Sequence, residues 1–403
     1  MVLFTVTVIA DLIVIYASDH PVSTQRKMAK MLSLSDPNPI SLTIHNRSNT
    51  IADLTIYDEL PAQLQRRDFK MDIRLNPGES RILKYEVQPL ERGEYFFGKT
   101  NVLIRSQLGL VMRHWRSGNG QMTPVVPSII QMKKYELLAF AKTSTYEGIK
   151  KIRRIGHSYE FEQIKQYVQG DDLRSINWKA TGRRTQPMVN QYQDERSQQV
   201  YTIIDKSRAM HMPFGGLSLL DYAINTSLAI SNIALKKHDR VGLISFSDKI
   251  GSTFRAERSE KQLKKILNGL YAEKAHVREA NYDLLYRSVK NVIKSRSLVF
   301  LYTNFESIYA MERALPVLQR INHQHLLVVM IFENTELVEH SRKQATYLTD
   351  IYTQTIAERM VLEKKQMVMK LKKYGIQTIL SRPEDLSMDT VNKYIELKAR
   401  GLI

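Results

Sequence analysis

The spacing of apolar and polar residues changes three times along the chain. From Val2 to Ala17 (VLFTVTVIADLIVIYA) nearly every position is apolar, with Asp11 inside the run. A membrane-spanning helix needs about 20 such residues, so this run is slightly short, and it is read here as a membrane helix. From Ser35 to about Pro127 the period becomes two. ISLTIHNRS, ADLTIYDELP, FKMDIRLNPGES, RILKYEVQP and GEYFFGKTNVLIRS alternate apolar with polar residues, and turns rich in Gly, Pro, Asn and Asp separate them. Short alternating strands at that spacing predict an antiparallel β-sandwich. From Pro187 onward the apolar runs are continuous: QQVYTIID, DRVGLISFSD, SLVFLYTNF, HLLVVMIFEN and IQTILSR. Amphipathic helical segments lie between them, at Leu219–Lys237, Lys261–Tyr271, Leu284–Lys294 and Thr349–Tyr374. Strands apolar on both faces, alternating with helices, predict a mostly parallel, doubly wound sheet.

Between these regions lies the most charged stretch, Gly148 to Arg184. Phe161, Ile164 and Val168 stand at helical spacing, which predicts a short helix over Glu160–Gln169 ended by Gly170. Asp171 or Asp172 is placed to cap a second turn. Two readings stay open. One is a solvated connector. The other is a structured clasp, with Trp178 buried against a neighbouring sheet and Arg174 paired with Asp171 or Asp172.

The order GHSYEF, then YVQGDDLRSINWKATGRR, then a strand ending in Asp205, resembles the bacterial domain-of-unknown-function family fifty-eight. The positions that carry the resemblance are Gly156, Glu160, Phe161, Gly170, Asp171, Asp172, Arg174, Trp178 and Arg183. Arg92-Gly93-Glu94-Tyr95 and Leu108-Gly109-Leu110 resemble further segments of the same family. The resemblance implies an α/β plus all-β chain: an N-terminal membrane helix, an antiparallel immunoglobulin-like β-sandwich, then a doubly wound von Willebrand factor A-like domain. On that basis residues 1–34 are a membrane anchor with a basic juxtamembrane segment. Residues 35–128 are the sandwich, 129–194 the signature and connector, and 195–403 the α/β domain. Relatives usually begin with a pair of membrane helices, and one is seen here. Arg26, Lys27 and Lys30 follow it, which places the downstream domains in the cytoplasm, at the cell membrane. The resemblance further implies a protein partner, a MoxR-type AAA ATPase.

Composition narrows the chemistry. The 403 residues contain no cysteine, so disulfides, thiolate metal sites and cysteine nucleophiles are excluded. A net charge of +18 suits an anionic partner surface, but no nucleic-acid-reading motif accompanies it, and no nucleic-acid partner is expected. There is no nucleophile elbow, phosphate-binding loop, dinucleotide fingerprint or HExxH motif, so no enzymatic activity and no cofactor are expected. Many domains of the implied fold hold Mg²⁺ at the strand ends through D-x-S-x-S. Here that motif reads Asp205-Lys206-Ser207-Arg208-Ala209, and Asn304 stands where a terminal Asp should be. One carboxylate and one hydroxyl are too few for a divalent cation, so no metal is expected. The reading that follows is a non-enzymatic membrane-attached adaptor. A metal-dependent ligand binder and a hydrolase are the alternatives.

Overall fold

The computed structural model describes residues 2–66, 69–146, 160–169, 173–184, 186–193, 197–342 and 347–402. It divides into two compact units. The first holds Met1–Lys134, His211–Leu228 and Lys265–Ala275, and the second holds Tyr135–Met210, Ala229–Lys264 and His276–Ile403.

The chain opens with helix α1 (Val2–Tyr16), which has 15 residues. At about 1.5 Å per residue that is about 22 Å, short of the ~30 Å hydrocarbon core. No helix among the described residues is long and apolar enough to cross a membrane, which overturns the N-terminal membrane helix expected from the sequence. Asp11 explains part of the difference. It is buried, accepting from the Ser106 hydroxyl, while Arg113 donates to the carbonyls of Ile15 and Ser18 at 3.0 and 2.8 Å. The helix is thus tied by polar bonds to the strands beside it.

Those strands are β1 (Val22–Lys27), β2 (Leu32–Ser33), β3 (Asn38–Asn46), β4 (Ala52–Asp58), β5 (Lys70–Leu75), β6 (Ser80–Val87), β7 (Gly93–Phe97), β8 (Thr100–Arg105), β9 (Met112–Ser117) and β10 (Gln121–Val126). They form sheets in the orders β1-β3-β6, β2-β10-β7 and β5-β4-β8-β9. Alternate residues of β3, β4, β7 and β8, among them Leu42, Ile56, Phe97 and Val102, share one core. Arg26, read from the sequence as a cation flanking the helix, lies in β1, paired across to Leu42 of β3. Its guanidinium holds the fully buried Asp58 through Nε at 3.0 Å and also through Nη2. Tyr85 and Thr100 donate to the same carboxylate. A cation that looks like a membrane flank in the sequence is an internal ion pair.

Helix α2 (Ile129–Tyr146) leads to β11 (Glu160–Gln166), α3 (Trp178–Thr181) and β12 (Met188–Gln193). The helix expected over 160–169 is therefore strand β11, antiparallel to β12, with a bulge between Phe161 and Gln163. A bulge inserts one extra residue into a strand. That turns two-residue apolar spacing into three and imitates a helical period.

The remaining elements are β13 (Gln199–Asp205), the short hairpin β14 (Pro213–Phe214) and β15 (Leu217–Ser218), α4 (Leu219–Lys236), β16 (Arg240–Phe246), β17 (Ile250–Glu257), α5 (Glu260–Ala272), α6 (Tyr282–Val292), β18 (Leu298–Thr303), α7 (Ile308–Gln324), β19 (Leu326–Phe332), α8 (Thr335–Arg342), α9 (Leu348–Lys373), β20 (Gln377–Ser381) and α10 (Leu386–Ala399). Six strands make one sheet in the order β17-β16-β13-β18-β19-β20. All neighbours are parallel except β17, which runs antiparallel to β16. Side chains of β13, β16, β18 and β19 share a core with Leu285 and Val289 of α6, Leu318 and Ile321 of α7, and Leu371 of α9. Gly242 of β16 has no room for a side chain, since a Cβ there would lie 2.2 Å from the Tyr201 ring.

The chain runs from β13 out to β16 on one side and returns to β18 on the other. The carboxyl ends of β13 and β18 therefore flank the point where strand order reverses, and open parallel sheets place their binding crevices there.

Candidate functional site

The strand ends bring together the four positions read from the sequence as a degenerate metal site. Asp205, last in β13, is fully buried. Its Oδ1 accepts from the Ser207 backbone N–H at 2.8 Å, and its Oδ2 accepts from the Thr303 hydroxyl at 2.7 Å. Tyr282, first in α6, lies 2.8 Å from that same hydroxyl. Because Thr303 gives its proton to Asp205, Tyr282 is the donor to Thr303. The Tyr282 ring stacks on Phe305 and meets Phe246 edge-on, at centroid distances of 5.9 and 5.6 Å. Asn304 follows β18 and donates to the Ala209 carbonyl at 3.4 Å. Ala209 thus joins the cluster through its backbone.

Burial dominates the electrostatics. It pushes the Asp205 carboxyl up to about 6, against the hydrogen bonds from Thr303 and Ser207. Burial first, then the Asp205 charge, holds the Tyr282 phenol well above its usual range. Lys364 of α9 completes the site. Its ammonium donates to Asn304 Oδ1 at 2.6 Å and to the Phe305 carbonyl. Burial brings that ammonium down to about 8, while Glu363 and Glu306 pull the other way.

A divalent cation does not fit this arrangement. Each Asp205 oxygen already has a donor, and Asn304 Oδ1 faces an ammonium. Among the described residues no group of three or more His, Asp or Glu side chains could hold a metal. Lys364, Thr303 and Tyr282 were not singled out from the sequence. Thr303 was within reach as the last residue of a strand, directly before Asn304. Lys364 was not, because nothing in a Lys- and Met-rich helix marks one lysine among several.

The rim is charged and exposed. Arg208 pairs with Glu306 at 2.9 Å, and Arg278 and His276 lie 3.3 and 3.2 Å from Asp248.

The second cluster is the signature. Gly156, Gly170, Asp171 and Asp172 lie outside the described residues, and so does the capping role given to the two acids. Glu160 and Phe161 open β11. Asn177 is the organiser that the sequence reading missed. Its Oδ1 caps α3 by accepting from Ala180 N–H at 3.0 Å, and its Nδ2 reaches Asn190 Oδ1 at 2.8 Å. Its own backbone N–H bonds to the Met188 carbonyl at 2.8 Å. The Thr181 hydroxyl donates to the Asn177 carbonyl and accepts from Met188 N–H, at 2.9 and 3.0 Å. Trp178 is not the buried anchor of the clasp reading: it is 75% exposed. It opens a helix of only four residues, and the buried positions nearby belong to Met188 and Val189 of β12. Arg174 and Arg183 are exposed as well.

Comparisons with known proteins bear on these two clusters together. The chain is 22% identical over 191 residues to an uncharacterized protein, YeaD, of Bacillus subtilis. That match covers 47% of this chain and 45% of the relative, so it spans under half of that protein's length. Among solved structures, an alpha-2-macroglobulin fragment from Escherichia coli is similar over 27% of this chain and 17% of its own, with 17% identity and a TM-score of 0.23. Proximal thread matrix protein 1 of the mussel byssus is similar over 50% of this chain and 45% of its own, with 9% identity and a TM-score of 0.29. Neither likeness decides fold or function. Residues 163–342, which include Trp178, Asp205 and Asn304, match a family described as "Protein of unknown function DUF58".

Proposed function

We propose that the six-stranded sheet and its helices form a von Willebrand factor A-like domain that docks a protein partner without metal, in a non-enzymatic adaptor. The observation that carries this reading is the Lys364 ammonium 2.6 Å from Asn304 Oδ1. It places a fixed positive charge at the strand ends, one residue from the Thr303 that holds Asp205. A second cation there would meet repulsion and find its ligands already taken. The sheet order, with its antiparallel edge strand and its reversal of strand order between β13 and β18, supports the fold assignment. Fold alone names no activity. The exposed rim of Arg208, Glu306 and Arg278 suits recognition of another protein's surface. The partner proposed is the MoxR-type AAA ATPase that the family resemblance implies.

The test is a binding measurement between the immobilised full chain and a purified MoxR-type AAA ATPase without nucleotide, in Mg²⁺ and again in EDTA. Equal affinity in both, lost in the Arg208→Glu/Arg278→Glu double variant, is the expected result. Binding lost in EDTA and restored by Mg²⁺ would overturn metal independence. Binding that the double variant leaves intact would remove the strand ends as the docking surface. No binding at all would remove the partner.

A further inference from the structure

We infer that the unit built on β11 and β12 carries a separate docking surface for an acidic protein segment. Trp178 would receive one of its apolar side chains, and Lys179, Arg183 and Arg184 its carboxylates. The inference does not rest on the reading of the strand ends and uses none of their residues.

The frame comes first. The segment from Leu173 to Arg184 is fastened to β12 by the Asn177 and Thr181 bonds described above and by a bridge between Ile176 and Val189. Whatever this segment displays is held in one backbone arrangement before a partner arrives, which lowers the ordering cost of binding. What it displays is unusual for a surface not in use. Trp178 is 75% exposed and Leu173 66% exposed. Tryptophan is the costliest side chain to leave in water and the type most enriched where partners gain their binding energy.

Charge identifies the partner. From Leu173 to Gln193 the chain has four basic residues, Arg174, Lys179, Arg183 and Arg184, and no acidic one. The side chains of Lys179, Arg183 and Arg184 are exposed and make no ion pair among the described residues. Lys179 and Arg183 are four residues apart across the end of α3, a spacing that brings side chains to one side of a helical turn. The guanidinium groups present paired donors matched to carboxylates. A nucleobase would use the indole face but gain little from the exposed aliphatic Leu173, whereas an acidic segment with leucine-like side chains uses all of these groups. The overall charge of +18 draws such a partner in.

The test uses the full chain and a fluorescein-labelled peptide of repeating Glu-Asp-Leu, about a dozen residues long, read by fluorescence anisotropy. Binding should weaken as salt rises. It should fall by about tenfold or more in Trp178→Ala and in Arg183→Ser/Arg184→Ser. Both signature variants should melt as the wild type does, since the changed side chains are exposed. A peptide with Gln and Asn in place of the acids should not bind. The inference is overturned if the acidic peptide does not bind, or binds the signature variants as it binds the wild type. It is also overturned if single-stranded oligothymidylate or phosphatidylglycerol vesicles bind more tightly than the peptide through the same residues.

Discussion

Replacing Asp205 by Asn asks whether the carboxylate at the strand ends is needed as a charge or only as a hydrogen-bonding shape. Burial raises this carboxyl from 3.8 to about 6 in the folded chain. At 1.36 kcal/mol per unit, a rise of about two units corresponds to a cost of up to about 3 kcal/mol for keeping the group ionised. The direction follows from proton counting. Between about pH 4 and 6 the folded chain binds more protons at this site than the unfolded chain. Asp205 therefore costs nothing below about pH 4, and stability falls as pH rises through about 6, with the full cost present at pH 7. Asparagine is neutral and nearly the same shape. Its Oδ1 still accepts from Ser207, and its amide can donate to the Thr303 oxygen, whose proton then turns to Tyr282. Asp205→Asn should therefore raise stability at pH 7 by up to about 3 kcal/mol, match the wild type near pH 4, and flatten the slope between. Urea unfolding of both proteins across that range, compared at constant m-value, reads this directly. A variant less stable than the wild type at pH 7, or one with an unchanged slope between pH 4 and 6, would refute the reasoning.

Three further outcomes are expected. Gly242→Ala would place a Cβ 2.2 Å from the Tyr201 ring and 2.9 Å from the Phe254 carbonyl, so it should lower stability by about 1–3 kcal/mol or more in chemical denaturation. Arg26→Ala would leave Asp58, whose side chain is 0% exposed, without its cation, and should cost about 3–5 kcal/mol; a silent substitution would contradict the internal ion pair. Lys364→Met should remove a pH dependence of opposite sign to that of Asp205. Because Lys364 is lowered from 10.5 to about 8, the unfolded chain binds its proton more tightly, and wild-type stability should rise with pH between those values while the variant's does not.

The strands and helices of the parallel sheet were legible because burial on both faces leaves little choice of residue. LVFLYT in β18 is buried along its length, and so short a run, with β-branched and aromatic residues, reads as a core strand between covering helices. Positions tied to strand ends were legible for the same reason: once β13 and β18 are located, Asp205 and Asn304 follow from the chain order. The errors came where one local pattern has two physical causes. The three-residue apolar spacing in β11 arises from a bulge and reads as a helix. The apolar run in α1 reads as a membrane span, although Asp11 is satisfied by a serine 95 residues away. Arg26 reads as a flanking cation, although its carboxylate comes from a different strand, 32 residues on.

Lys364 and Trp178 show the same limit from opposite sides. Lys364 has no local signal, being one cation in a basic helix, yet it lies 60 residues from the Asn304 that it contacts and sets the charge of the strand ends. Trp178 has a strong local signal, and that signal points to burial. The Asn177 cap and the Thr181 bonds to β12 supply the order that a buried indole would otherwise have to provide. A four-residue helix then has no buried face left for its first residue. When polar bonds alone fasten a loop this firmly, its large apolar side chain is available for contact with something outside the fold. The indole that the clasp reading places in a joint within the chain is instead the anchor of the proposed docking surface.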